Sequence, residues 1–210
     1  MQKASQKAQE FRRREEEILQ KAQDLFIEHG EDKVTVEMIA DAVGIGKGTI
    51  YKHFETKDEI YLRLMIRYED QLSEVFDQLE ASGDKDRARL AKEYFGFRMK
   101  NPEKYALFDR LEHKLTNSNS CPELVEKLHE TRASNLDRLV KIVERRIAEG
   151  KLEDVPAHYH IFAAWALVHG AVALYHSKFY NEFIDNKDDF FNFLIEIGVR
   201  MGNKRPRKED

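Results

Sequence analysis

A short stretch near the N-terminus, GIGKGTIYKHFETKDEI from Gly44 to Ile60, combines glycines, which make the backbone flexible, with long polar side chains. It holds three glycines, three lysines, a tyrosine and a histidine. Within residues 44–57, Glu55 is the one acidic residue beside the three lysines. Two kinds of chemistry suit this composition. A glycine-rich loop can cradle phosphates with its backbone N–H groups. Alternatively, a tight turn can present a short helix to DNA.

The spacing argues against a phosphate-binding loop. That loop requires G-x-x-x-x-G-K-[ST] between a strand and a helix. Here Gly44, Gly46 and Gly48 alternate, and helical sequence precedes them. The same alternation does not fit the G-x-G-x-x-G fingerprint of dinucleotide-binding proteins.

The flanking residues instead predict two short helices joined by a tight turn. Thr35 precedes VEMIADAV as an N-cap, and Gly44 supplies the positive φ that the turn needs. A further short helix is expected from Lys47 to about Phe54, with Ile50 pointing inward. In a helix-turn-helix the start of the second helix reaches the major groove.

From Thr35 to Met65 the sequence resembles the DNA-binding domain of TetR-type transcriptional regulators. The pattern G-[IV]-x-x-G-x-[IL]-Y-x-H-F-x-x-K-x-x-[IL] runs without a gap from Gly44 through Ile60. From about residue 66 onward, the resemblance covers only the number, length and order of helices.

The resemblance implies a role for each matching residue. It implies phosphate contacts for Thr35, Tyr51, His53 and Lys57, and base-facing positions for Lys47, Gly48, Thr49 and Lys52. It leaves Phe54 as a core residue. Two interpretations of Arg12 to Arg14 stay open, namely a DNA contact or pairing with Glu15 to Glu17 at helical spacing.

The rest of the chain predicts an all-α protein of about nine helices, because its apolar residues recur at helical spacing. Thr56 and Glu59 form a capping box that opens a long fourth helix. The eighth helix is expected from Pro156 to about Tyr180. We divide the chain into a DNA-binding domain (1–57), a ligand-sensing and dimerisation domain (58–203) and a basic polar tail (204–210).

Charge and cysteine usage limit the kind of DNA contact and the cellular compartment that we expect. The net charge is −4, so DNA contact must come from a local patch. Cys121 is the sole cysteine, which fits a reducing compartment. The run from Ile161 to Tyr175 is short for a bilayer span and predicts a buried helix. We expect a soluble, cytoplasmic protein without a membrane partner.

The last two helices are the candidates for a dimer interface. The eighth carries small residues that allow close approach of backbones, and the ninth carries large apolar ones, Phe193 and Ile197 among them. An ordinary intrachain core is the alternative. The resemblance favours pairing, because the family dimerises through these two helices as a four-helix bundle.

A sensor pocket is expected between helices four and eight. Aromatic side chains are abundant there, and an apolar cavity with a few polar groups is the usual form of a ligand site. An apolar or amphipathic effector would suit it. The candidate ligand-binding residues are Tyr68, Tyr94, Phe108, His113, Arg132, Asn135, Trp165 and His169.

The sequence shows no pattern typical of a metal site, a cofactor site or an enzyme active site. His158 and His160 do not share a helical face, and His169 and His176 have no cysteine or paired carboxylate near them in sequence. No G-x-S-x-G or H-E-x-x-H motif occurs. The prediction is a homodimeric regulator, most simply a repressor, that binds a palindromic operator and responds to a small effector. The alternatives are a helical ligand-binding or enzymatic protein without specific DNA reading, and a nonspecific architectural DNA binder.

Overall fold

The computed structural model describes residues 2–81, 87–115 and 121–204, which form ten α-helices and no β-strand. The all-α prediction is therefore confirmed. The helices are α1 (Gln2–His29), α2 (Val36–Val43), α3 (Lys47–Ile50), α4 (Lys57–Ala81), α5 (Arg87–Met99), α6 (Pro102–Leu115), α7 (Pro122–Ala148), α8 (Ala157–His176), α9 (Lys178–Asn181) and α10 (Lys187–Arg200).

The helix-turn-helix follows the local signals closely. The Thr35 hydroxyl accepts from the backbone N–H of Met38 at 3.2 Å, which caps α2. Gly44 ends α2 with φ 72°, a conformation that favours glycine. The helix α3 is shorter than predicted, because the N–H groups of Lys52 and His53 bond three residues back and tighten the chain into a turn.

The capping box at the start of α4 forms with one variation. The Glu59 backbone N–H donates to the Thr56 hydroxyl at 3.1 Å, as predicted. The Glu59 carboxylate returns to the N–H of Glu55 at 2.7 Å and not to that of Thr56. Both bonds satisfy backbone donors that a helix start would otherwise leave open.

The predicted eighth helix is wrong beyond His176. Ser177 is extended, with φ −72° and ψ 126°, so α8 ends there. The Ser177 hydroxyl accepts from the N–H of Tyr180 and starts the short helix α9. A serine whose side chain bonds the backbone favours a helix start over a helix interior. The break explains why the described residues hold ten helices and not nine.

The chain divides into two compact units, and the division falls inside α4, α6 and α7. The first unit comprises the residues up to Tyr68 together with Leu107–His129, and the second comprises Glu69–Ala106 and the residues from Glu130 onward. This division differs from the predicted boundary at 57/58, because the first turns of α4 and the end of α6 belong to the first unit.

Each unit has a packed interior of its own. In the first, the helix-turn-helix core includes Phe26, Ile39, Ile50 and Phe54, each at most 1% exposed. In the second, α10 packs against α5 and α8. Gly198 permits that packing, since a Cβ there would lie 2.5 Å from the Phe95 ring.

Candidate DNA-binding site

Polar side chains cluster on the solvent-facing side of the helix-turn-helix. Thr35, Lys47 and Lys52 are exposed, and Tyr51 is 47% exposed although it is a large aromatic residue. Gly48 is exposed and Thr49 is half-buried. The buried residues of α2 and α3 face the interior, so the predicted contact residues share the outer surface. Such a surface could donate hydrogen bonds to phosphates and base edges.

An acidic residue that the sequence analysis did not single out lies in this cluster. The Lys47 ammonium pairs with the Glu37 carboxylate and lies 5.9 Å from the centre of the Tyr51 ring. Glu37 raises the pKa of Lys47, and Lys47 in turn lowers the pKa of Glu37. No short-range pattern predicts a pair between residues ten positions apart on different helices.

His53 is held against α1. Its ring centre lies 4.0 Å from that of Phe11, and its Nδ1 atom is buried with no hydrogen-bond partner among the described residues. Burial lowers the pKa of His53 below its ordinary value. Burial therefore favours the neutral imidazole of His53 in the absence of DNA.

Lys57 differs from Lys47 and Lys52 because it is half-buried and its ammonium donates to a backbone carbonyl. The Nζ atom donates to the backbone carbonyl of Glu31 at 2.5 Å and lies 5.7 and 5.4 Å from the ring centres of Phe26 and Tyr61. Burial lowers the pKa of Lys57. To contact a phosphate as well, the ammonium would use one of its other two N–H donors or leave the Glu31 carbonyl.

Charged contacts also fix the turn between α1 and α2. The Arg110 guanidinium donates to the Glu31 carboxylate at 3.1 and 3.3 Å. The Lys114 ammonium pairs with Asp32 and lowers the pKa of that carboxyl. The turn that leads into the helix-turn-helix is thus held by side chains from the end of α6, within the same unit.

For the three N-terminal arginines, the structure shows pairing with a glutamate at one of them. The Arg14 guanidinium donates to the Glu17 carboxylate at 2.7 Å, one turn along α1. Arg12 and Arg13 are exposed. A DNA contact by Arg12 or Arg13 stays a prediction.

The candidate ligand residues fall into separate clusters. In the first unit, Tyr68 and Phe108 stack with ring centres 4.5 Å apart. In the second, Asn135 and Arg132 contact Glu69, whose carboxylate is buried. The side chain of His113 lies outside the described part of the chain.

Trp165 and His169 lie on α8. The Nδ1 atom of His169 donates to the Trp165 carbonyl at 2.9 Å, and its Nε2 atom lies 3.2 Å from the Tyr105 hydroxyl. The Nε2 atoms of His160 and His176 contact the backbone carbonyls of Glu153 and Pro102. These imidazoles therefore take part in intrachain hydrogen bonds.

An apolar groove opens within the second unit. Its cavity volume is about 100 Å³, it is partly open to solvent, and its polar side chains include Arg146 and His160. Tyr94 is the one predicted ligand residue with a described side chain that lines it. The other lining residues are Ala91, Phe95, Leu139, Ile142, Val143, Leu152, Ile161, Ala164, Gly198, Val199 and Met201.

Comparison with known proteins identifies the class. Residues 18–64 match the model of the bacterial regulatory proteins of the tetR family, and residues 88–197 match the tetracyclin repressor-like C-terminal domain. The second match alone covers more than half of the 210 residues. The chain belongs to the TetR family of bacterial regulatory proteins.

Individual relatives agree with this assignment. The chain is 38% identical over 77 residues to the transcriptional repressor KstR2 of Rhodococcus jostii. The matched stretch covers 37% of this chain and 38% of that protein. It is 35% identical over 81 residues to the transcriptional activator FasR of Mycolicibacterium smegmatis, which is 38% of this chain and 37% of that protein. The chain thus spans less than two fifths of the length of these curated relatives.

The fold is also found in solved structures. A TetR-family regulator from Agrobacterium tumefaciens has a TM-score of 0.71 at 20% identity, and the match covers 92% of this chain and 100% of that one. At this identity the likeness shows the fold alone, including the helical region that follows the helix-turn-helix.

Proposed function

We propose that the protein is a homodimeric, sequence-specific transcriptional regulator that binds a palindromic operator and releases it when a small effector binds. The observation that supports this most is the exposed cluster of Lys47, Tyr51 and Lys52 on a helix-turn-helix of the TetR family. In such motifs the second helix enters the major groove, and a two-fold dimer presents two of them roughly 34–36 Å apart.

Selection of bound duplexes from a random-sequence pool, at one near-physiological salt concentration, tests this proposal. We expect a palindrome with a defined half-site spacing, because the two identical helix-turn-helix units of a dimer, its reading heads, require two related half-sites. If a folded dimer enriched no sequence, sequence-specific regulation would be rejected in favour of a ligand-binding or enzymatic role.

A double substitution separates specific reading from that alternative and from architectural binding. Lys47→Ala with Tyr51→Ala is expected to abolish specific operator affinity, because it removes a base-facing lysine, whose loss costs roughly 1–3 kcal/mol, together with a phosphate contact. Competition binding with the operator and a random duplex measures the preference for the operator. A preference that survives would exclude Lys47 from base reading, and equal wild-type affinity for all duplexes would favour an architectural binder.

Lys57→Ala tests a phosphate contact by a half-buried lysine. We expect operator and random affinities to fall by similar factors, and the slope of log affinity against log salt to become shallower by about one per reading head. Affinity measured at four or more salt concentrations gives this slope. Lys33→Ala is a matched control, since Lys33 is exposed in the turn before Thr35. An unchanged slope for Lys57→Ala would remove Lys57 from the phosphate contacts.

The outer faces of α8 and α10 are the proposed dimer interface. On α8, Ala163, Ala166, Gly170 and Ala173 are exposed at helical spacing. On α10, Phe193 is 61% exposed in the single chain. Exposed small residues beside large apolar ones allow two helix pairs to approach closely and bury a large apolar area. Other members of this surface are Tyr159, Phe162, Leu174 and Ile197.

The same exposed face bears on the membrane question. Among the described helices, α8 is the one long and apolar enough to cross a bilayer by length and composition. The core helix of a soluble bundle has the same properties, and pairing with a second copy would cover the exposed face of α8. We propose a soluble cytoplasmic protein.

The groove lined by Tyr94 is the proposed effector site within the 58–203 region. Its apolar walls suit an acyl chain or an aromatic ring, and Arg146 and His160 could bind a polar end. An effector would act by favouring a conformation whose head spacing no longer fits DNA, which requires different affinities for the two states. We propose repression, the activity named for KstR2, although FasR is named as an activator.

A further inference from the structure

Glu37 lies among the side chains that are expected to approach DNA. It is the second residue of α2 and two positions beyond the cap residue Thr35, and it is exposed. Its carboxylate pairs with the Lys47 ammonium. A negative charge on this surface disfavours contact with phosphates, so its presence calls for a compensating role.

The chemistry of the pair suggests that role. A lysine ammonium has three donors on a flexible stem. Glu37 on α2 engages one of them, and the centre of the Tyr51 ring lies 5.9 Å from the same ammonium. Two of the three donors therefore remain available beside the first turn of α3. Without Glu37, the stem could carry the ammonium to whichever phosphate is nearest.

We propose that Glu37 is a positioning residue that determines DNA specificity by holding Lys47 for a base edge and against phosphates. The inference rests on the proposed DNA-binding function. At the operator, Lys47 keeps its pair with Glu37 and donates its other N–H groups to purine acceptors in the major groove. On a random duplex, a phosphate contact requires Lys47 to leave Glu37, and it leaves the carboxylate unpaired near the backbone.

This arrangement lowers nonspecific binding more than operator binding. Nonspecific affinity comes mainly from neutralised phosphates and the counterions that they release. Specificity is the difference between two affinities, and weakening the wrong complex raises it as effectively as strengthening the right one. Glu37 raises specificity in this way through its one contact with Lys47.

Glu37→Gln tests the inference, with affinities measured for the selected operator and for a random duplex of equal length across a salt series. We expect the ratio of the two affinities to fall roughly tenfold, about threefold for each of two reading heads, as befits an exposed ion pair. On the random duplex, the slope of log affinity against log salt should steepen by about 0.9 per head.

Two controls separate positioning from a general charge effect. Asp41→Asn removes an exposed carboxylate from the same helix and is expected to shift both affinities by the same factor. In a Lys47→Gln background, Glu37→Gln should leave the affinity ratio unchanged, because the partner is already absent. Unchanged thermal unfolding of Glu37→Gln would show that the fold is intact.

The possible results are distinct. A ratio that falls only when Lys47 is present supports the inference. A ratio that is unchanged or higher in Glu37→Gln, or that falls equally in Asp41→Asn, overturns it. If the wild type shows no preference for any duplex, the proposed function itself fails, which is a separate result.

Discussion

Phe193→Asp is expected to convert the proposed dimer into a monomer and to lower operator affinity by more than about 100-fold. A carboxylate buried at an apolar interface without a partner is strongly unfavourable. Loss of the second reading head removes the effective concentration that links the half-sites, a contribution on the order of 10²–10⁴. Light scattering gives the oligomeric state, and titration of the selected operator gives the affinity.

Phe193 is suited to this test because the single chain does not depend on its burial. It is 61% exposed, whereas Phe191 on the same helix is 4% exposed and belongs to the interior of the second unit. Phe191→Asp would unfold that unit and could not be interpreted. Ile197 lies one turn from Phe193 and is 37% exposed, so the substitution falls inside a continuous apolar surface.

Val155→Asp is the matched control. Val155 is also an exposed apolar residue of the second unit, at 40%, but it precedes α8 and lies outside the proposed interface. It is expected to leave both the dimer and the operator affinity unchanged. A Phe193→Asp variant that remains a dimer would place the interface elsewhere, and a monomer that kept full affinity would refute binding by paired heads.

The parts of the fold that the sequence predicted are those encoded by neighbouring residues. Thr35 caps α2 through a hydroxyl three residues from its partner, Gly44 ends α2, and Thr56 caps α4 through Glu59. These signals act over one turn of helix, so a sequence window contains both partners. Long amphipathic helices were predicted for the same reason, although their exact ends were not.

The contacts that the sequence did not predict join residues far apart along the chain. Lys57 was expected to face phosphate, yet its ammonium donates to the Glu31 carbonyl, which is 26 residues away. Glu37 was not selected, because its partner Lys47 lies on another helix. Local patterns report which face of a helix is polar, but they do not report which polar group stands opposite.

The candidate sensor residues illustrate the same difficulty in the region where the resemblance was weakest. Their aromatic and polar character matched that of a ligand site, but residue type does not separate a pocket from a packed interior. The stacked rings of Tyr68 and Phe108 and the hydrogen-bonded amide of Asn135 have intrachain partners. Tyr94 lines the open groove, which depends on the packing of four helices.

Asn135→Ala is expected to destabilise the protein by about 2–3 kcal/mol, because this side chain is 3% exposed and its amide is fully engaged. The Nδ2 group donates to the Glu69 carbonyl at 3.0 Å and to the Glu69 carboxylate at 3.2 Å. The Oδ1 atom accepts from the Ser73 hydroxyl at 2.8 Å. Alanine would leave the buried groups of Glu69 and the half-buried hydroxyl of Ser73 without their shared partner.

Thermal or urea unfolding at one fixed protein concentration measures the effect, since dimer formation makes stability depend on concentration. The midpoint should fall by about 4–12 °C for a chain of this size. Ser134→Ala, at the adjacent exposed position of α7, should change it little. A buried amide with three intrachain bonds has no donor left for an effector. A loss of stability in Asn135→Ala would therefore support a structural role for this residue. An unchanged midpoint in Asn135→Ala would contradict that role and would favour the predicted role of Asn135 in effector binding.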